Sequence, residues 1–307
     1  MLKRFTFKKL GITTLLLLLA LILYNYPEVI NEEYIPEQCE NINIYLIDKN
    51  DFVAMTEIET NNKNINDQIK EILNALIIGN NEEKLPEGFK AVIPRGTKIL
   101  SYQLNDGLLK INFSREFLSS DEKDEEKMIE AIVFSLTSIN DVKKIMIFVE
   151  NERLTELPKS KKKLDLYLDR KIGINKVVDI TSLNNTEMIT VYYLSNLDNK
   201  YYIPISYITN DEGDKIEIII NNLKTNRLYS SNLSSHLDYQ VELMNYEATT
   251  DEVILDFNDI LLASVYKGKL KEEIKYAISY SIYDTLGIEN ITFQVNNQKI
   301  DEFRLES

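Results

Sequence analysis

The chain has 307 residues, 44% of them hydrophobic, and a formal net charge of −14, which allows about two domains of ordinary size. Lys3, Arg4, Lys8 and Lys9 open the chain, so the remainder is more acidic still. Such a surface repels phosphate backbones and excludes nucleic acid as a partner. A single His236 and a single Cys39 exclude both a structural zinc site and an intramolecular disulfide.

Residues 1–9 form a basic segment expected in the cytoplasm. Residues 10–26 carry no charge, and the basic residues ahead of this apolar run orient it so that the remainder is exported. The run is short against the ~17–25 residues of a bilayer span. Tyr24-Asn25-Tyr26-Pro27-Glu28 lacks the small residues that cleavage of a signal peptide requires. The run therefore reads as a single-pass transmembrane anchor, with the cleaved signal as the alternative. Residues 27–41 read as a linker, in which Cys39 lies too far from the run to carry a lipid.

Residues 42–154 open with two strands, 42–47 and 52–58, joined across the polar cluster Asp48-Lys49-Asn50-Asp51. Ile65, Ile69, Ile72, Leu73 and Leu76 give the stripe of a helix with one buried face, and Gly79 supplies its stop. Asn105-Asp106-Gly107 marks a hairpin between 97–104 and 108–113. A second helix is expected over about 121–138, with Ile129, Ile132, Val133, Leu136 and Ile139 inward and acids in its first turn. Residues 142–149 close the sheet.

After a linker, 155–187, residues 188–300 repeat this order, and 301–307 form a tail. Val142–Asn151 matches Ile288–Asn297 about 146 residues on, and Lys110-Ile111-Asn112-Phe113-Ser114 returns as Ile254-Leu255-Asp256-Phe257-Asn258. A period this long means duplicated domains, since solenoid units repeat every ~20–50 residues. The fold expected is α+β: two tandem ββαββαβ domains, each a small mixed sheet with helices on one face. Ile216–Ile220, the start of a helix by analogy, also fits a strand. Each copy reads as a separate folding unit, so Leu136→Asp or Ile278→Asp is expected to unfold one copy and spare the other. The basic run Lys159-Ser160-Lys161-Lys162-Lys163 reads as a solvated linker or, alternatively, as a contact for an acidic partner.

The block Ile93-Pro94-Arg95-Gly96-Thr97, then Ile111-Asn112-Phe113-Ser114-Arg115-Glu116-Phe117, then Ser135-Leu136-Thr137, resembles the GerMN domain. Pro94, Gly96, Thr97, Asn112, Phe113 and Ser114 carry the motif in the first copy. Asp256 and Phe257 keep part of it in the second, where the proline-glycine-threonine element is missing near Asp238-Tyr239. The resemblance covers both copies and extends to the GerM-type sporulation and spore germination family. It implies a fold related to the ring-building modules of secretion systems. It also implies a scaffold role in the channel complex between mother cell and developing spore. The chain departs from the better-known members in lacking a lipid-attachment cysteine.

Little in the sequence points to chemistry. His236 in Ser234-Ser235-His236-Leu237-Asp238 is a neighbourhood and not a triad, which is defined by geometry. The acid pairs Asp256/Asp259 and Asp48/Asp51 lie at strand ends or turns, where solvated carboxylates are routine. With 9 glycines and no glycine-rich loop after a strand, a nucleotide cradle has no material. The reading is a non-enzymatic envelope scaffold without cofactor or metal, whose partners are envelope or channel-complex proteins or further copies of itself. Lys143 and Lys144 beside the closing strand, and Glu125 and Glu126 on the second helix, are the candidate interaction residues. The rival readings are an exported module that captures a small ligand or cell-wall fragment, and a wall hydrolase using paired carboxylates.

Overall fold

The computed structural model describes residues 12, 14–19, 21, 40–60, 64–182, 184–195, 200–210, 213–225 and 232–305. The anchor expected at 10–26 lies for the most part outside them, as does Cys39. Among the described residues no helix is long and apolar enough to cross a membrane. Residues 1–38 form a unit of their own.

The first copy begins with β1 (Glu40–Ile47) and β2 (Val53–Thr60), paired antiparallel. Their turn closes on Asp48, whose carboxylate accepts the amide N–H of Asn50 and of Phe52, each at 2.9 Å. Helix α1 (Ile65–Leu76) starts where the Asn64 side chain caps the Asn66 N–H, and buries Ile69, Ile72, Leu73 and Leu76. β3 (Ile99–Asn105) and β4 (Leu108–Phe113) turn through Asp106 and Gly107, both at positive φ, as a two-residue hairpin demands. Helix α2 (Glu125–Leu136), β5 (Lys144–Val149) and the short β6 (Glu152–Arg153) complete the copy. β4 and β5 run parallel and the other pairs antiparallel, so the sheet β3-β4-β5-β6 is mixed.

The chain continues with β7 (Val177–Asp179), β8 (Glu187–Ser195), β9 (Tyr202–Thr209), α3 (Lys215–Thr225) and β10 (Leu233–Ser234). β11 (Leu243–Ala248), β12 (Glu252–Phe257), β13 (Val265–Tyr266), β14 (Lys269–Leu270), α4 (Glu272–Leu286), β15 (Asn290–Val295) and β16 (Gln298–Arg304) complete the second copy. Ile216–Ile220 is helical. Ile216, Ile218, Ile219 and Ile220 are all buried there, and the polar face is carried by Glu217, Asn221 and Lys224, of which the segment 216–220 contains only the first.

The strands do not stay together copy by copy, contrary to the one-sheet-per-copy expectation. The opening hairpins leave their own copies and join each other in a common sheet, β1-β2-β9-β8-β10, with β7 added on β9. β2 and β9 meet antiparallel at Met55 and Tyr202. The physical reason lies in consecutive burial. Ile44, Tyr45 and Leu46, like Tyr192, Tyr193 and Leu194, are all buried, so both faces of each hairpin must be covered. Each copy keeps its own apolar cluster, but Tyr192 packs in the first copy's cluster and Ala54 in the second's.

Two segments assigned to connections are part of the fold. Residues 301–304 extend β16, with Phe303 buried. The expected linker 155–187 contributes β7 and buries Leu157, Leu168 and Ile174 against the first copy. Its basic run is held in place: Lys162 pairs with Glu126, Lys163 with Glu156, and Lys176 beyond it with Glu130.

Glu125, expected at a partner surface, is 0% exposed. Its carboxylate accepts the amide N–H of Lys159 at 2.9 Å and of Ser160 at 2.8 Å. The correction has a simple cause, since α2 is buried almost all round and its first turn faces the linker instead of solvent. Burial opposes the charge, but those amides together with the Ser160 side chain and the Lys159 charge outweigh it and hold the carboxyl below its ordinary value of 4.5. With the folded value depressed, this stabilisation is complete above the ordinary carboxylate range and is lost as pH falls through the folded value. Glu125→Ala should leave two amides unpaired, at about 1–3 kcal/mol. Hydrogen exchange of the 157–163 peptide should then be fast at neutral pH, whereas the unaltered chain should reach that state only in acid.

Candidate functional site at the junction of the copies

Tyr45 and Tyr192 occupy equivalent places in β1 and β8, and the two copies meet around them. Each donates its backbone N–H to a serine of its own copy's helix: Tyr45 to Ser135 Oγ at 2.8 Å, Tyr192 to Ser281 Oγ at 2.9 Å. Their hydroxyls lie 2.9 Å apart. Tyr192 also donates to Asp284 Oδ2 at 2.5 Å.

Arg170 enters this junction from a short 3₁₀ turn in the segment between the copies, a turn started by the Asp169 side chain on the Lys171 N–H. Its Nη1 donates to Asp284 Oδ1 at 2.6 Å. On the first copy its Nε donates to Thr137 Oγ1 at 3.0 Å, and its Nη2 to the Phe134 carbonyl and Ser138 Oγ, both at 3.1 Å. The guanidinium lies over the Phe134 ring at 4.8 Å and near Tyr45 and Tyr283 at 5.5 and 5.7 Å. It sits at the C-terminus of α2, where a cation suits the helix dipole. The Asp284 side chain is 1% exposed and that of Arg170 15%. Burial acts against the Arg170 charge, and Asp284 together with the hydroxyls of Tyr45, Tyr192 and Tyr283 more than offsets it, leaving the pKa well above the ordinary value. Burial and then Asp284 push the Tyr192 hydroxyl up as well. Arg170 has no counterpart in the repeat, so aligning the copies could not find it. Its neighbours Asp169 and Lys171 are charged too, so the local sequence did not single it out.

A cleft of about 440 Å³ opens above the junction. Its walls include Asn41 and Asn43 of β1, Tyr276 and Tyr280 of α4, and Lys275 and Arg304. Tyr276 and Tyr280 stack with centroids 5.8 Å apart and an interplanar angle of 19°. The cleft brings together amides, phenols and cations with the hydroxyls of Thr137 and Ser138 and the carboxylate of Glu302.

The motif residues lie elsewhere and serve the fold. Thr97 folds back on Pro94, its Oγ1 donating to the Pro94 carbonyl at 2.7 Å, and Gly96 takes the positive φ of that turn. In the second copy, Val241 N–H donates to the Asp238 carbonyl at 3.0 Å and the Asp238 carboxylate caps Gln240 N–H. The same turn is thus built without proline or glycine. Asn112 and Asp256 hold equivalent turns, accepting the N–H of Asn151 at 3.0 Å and of Asn297 at 2.9 Å. Phe113 and Phe257 are fully buried, Phe113 stacked 4.5 Å from Phe117, and Ser114 Oγ accepts the Lys98 N–H at 2.9 Å. His236 is exposed. Lys143 and Lys144 give their amides to the Gly107 carbonyl and keep exposed side chains, Lys144 over Tyr167 at 5.6 Å. Asp256→Asn should fold normally, because an amide oxygen still accepts from Asn297. Asp256→Ala should cost about 1–3 kcal/mol in denaturant unfolding.

Two ββαββαβ copies fused through their opening hairpins define a class of protein, the tandem GerMN-domain proteins. The fold matches the tandem GerMN domains of the sporulation protein GerM from Bacillus subtilis, with a TM-score of 0.76 and 26% identity, covering 85% of this chain and 92% of that one. Residues 43–155 match the family described as "Germane: Sporulation and spore germination". The spore germination protein GerM of Bacillus subtilis (strain 168) is 30% identical over 262 residues, 83% of this chain and 71% of that protein. The chain belongs to the GerM family of sporulation and spore germination proteins.

Proposed function

We propose that the protein is a non-enzymatic scaffold of the cell envelope, acting in sporulation or spore germination within a transenvelope channel complex. The apolar run at 10–26 tethers it to the membrane, with the N-terminus in the cytoplasm and both copies outside. The observation that carries this reading is the junction. Its charged groups, Arg170 and Asp284, are spent on fixing one copy to the other, and the motif residues are spent on turns and core. A rigid two-copy body is a building part.

The test is complementation of a deletion strain, scored by spore formation and germination, with co-purification of envelope proteins from sporulating membranes. His236→Ala, Asp256→Asn and Asp259→Asn should preserve function, while Lys143→Glu with Lys144→Glu should impair partner recovery without unfolding the protein. Loss of function in a folded, assembled Asp256→Asn or Asp259→Asn protein would point to catalysis or ligand binding instead. The cleft favours one second reading, capture of a small ligand or wall fragment against Tyr276. In that case Tyr276→Ala would abolish function and leave partner recovery intact.

A further inference from the structure

β3 and β11 are the equivalent end strands of the two four-stranded sheets, and no other described strand pairs with their outer edges. Both carry a β-bulge at the same place. The register skips Leu100 in β3 and Met244 in β11, and these apolar side chains are 45% and 62% exposed. A bulge twists an edge and limits indiscriminate strand addition, so each edge presents a shaped surface with one apolar knob.

Two of the charges around the first knob are reversed around the second, and a third, Lys110, gives way to Ile254. The first copy has exposed Lys98 ahead of Leu100, Lys110 on the adjoining strand and Lys143 at the start of β5. At the equivalent positions of the second copy, Glu242 stands for Lys98, Glu247 for Gln103 and Glu289 for Lys143, all exposed. Among the described residues no salt bridge engages Lys98, Lys110, Glu242 or Glu247. A duplicated surface that keeps its shape and carries Glu242 for Lys98 and Glu289 for Lys143 is complementary to its own counterpart. Two β3 edges would oppose like charges, as would two β11 edges, so only the unlike pairing is favoured.

We propose that the β3 edge of one molecule docks on the β11 edge of a second copy of this chain, head to tail. Such a contact is heterologous, and repeated around a closing rotation it makes a ring, otherwise a filament. The inference rests on the scaffold reading and names one partner within it.

The test uses the full chain with Cys39→Ser in nonionic micelles, adding Ser101→Cys to one preparation and Asn245→Cys to another. Both positions are exposed on the edges concerned. A short bis-maleimide should link the two preparations when mixed and neither alone. In sedimentation, Lys98→Glu and Glu242→Lys should each weaken association by at least about tenfold. Combining both in one chain should restore it. Cross-linking of the Ser101→Cys protein alone, a monomer at every concentration, or failure of the combined exchange to restore association would each overturn the proposal. A monomeric chain that still recovers envelope proteins and supports sporulation would overturn the head-to-tail contact and leave the scaffold standing. An associating chain that recovers no envelope proteins would do the reverse.

Discussion

Arg170→Met is expected to lower stability by about 3–5 kcal/mol, the usual consequence of removing one member of a buried ion pair. Asp284 would be left 1% exposed, with only the Tyr192 hydroxyl as a described side-chain donor. The first copy would also lose the donors that reach Thr137, Phe134 and Ser138. Arg170→Met with Asp284→Asn should recover most of the loss, because no buried charge then lacks a partner and the asparagine oxygen still accepts from Tyr192. Urea unfolding monitored by far-ultraviolet and tyrosine near-ultraviolet circular dichroism measures both, the chain having no tryptophan. Equal stability of the single and double variants would mean that the junction is held by apolar contact alone.

Leu136→Asp and Ile278→Asp are each expected to collapse both copies. Both residues are fully buried, one in each apolar cluster. Burying an unpaired carboxylate costs several kcal/mol, comparable with the ~5–15 kcal/mol that holds a typical protein folded. The sequence reading confined that damage to one copy. The common sheet argues otherwise, since losing either hairpin uncovers an edge of the other and separates Arg170 from Asp284. Limited proteolysis decides the matter. A resistant fragment of about one copy's size in either variant would restore the separate-unit view.

The helices and hairpins were legible because each carries a local signal. The stripe from Ile65 to Leu76 has a single buried face, and Asn105-Asp106-Gly107 sits at a turn that requires positive φ. The division of strands between sheets was hidden. Consecutive burial of Tyr192, Tyr193 and Leu194 records that both faces are covered, but not by what. Glu125 misled for a related reason: an acid in a helix's first turn ordinarily faces water, and only the tertiary fold brings the amides of Lys159 and Ser160 onto it. The motif residues were recognisable by resemblance, and their hydrogen bonds explain why Asp238 can open the turn that Pro94 opens in the first copy. Arg170 and Asp284 escaped altogether, lying far apart in sequence, Arg170 in the segment between the copies and Asp284 where the first copy has Ser138.

Hydrogen exchange through a urea titration of the full chain tests most directly whether the copies form one body. Peptides from β1–β2 and from β8–β9 report on opposite halves of the common sheet. One structure held by that sheet and by Arg170 predicts coincident midpoints for the two, moving down together in Arg170→Met. Midpoints that are already separate in the unaltered chain, or a shift confined to one hairpin in the variant, would contradict it.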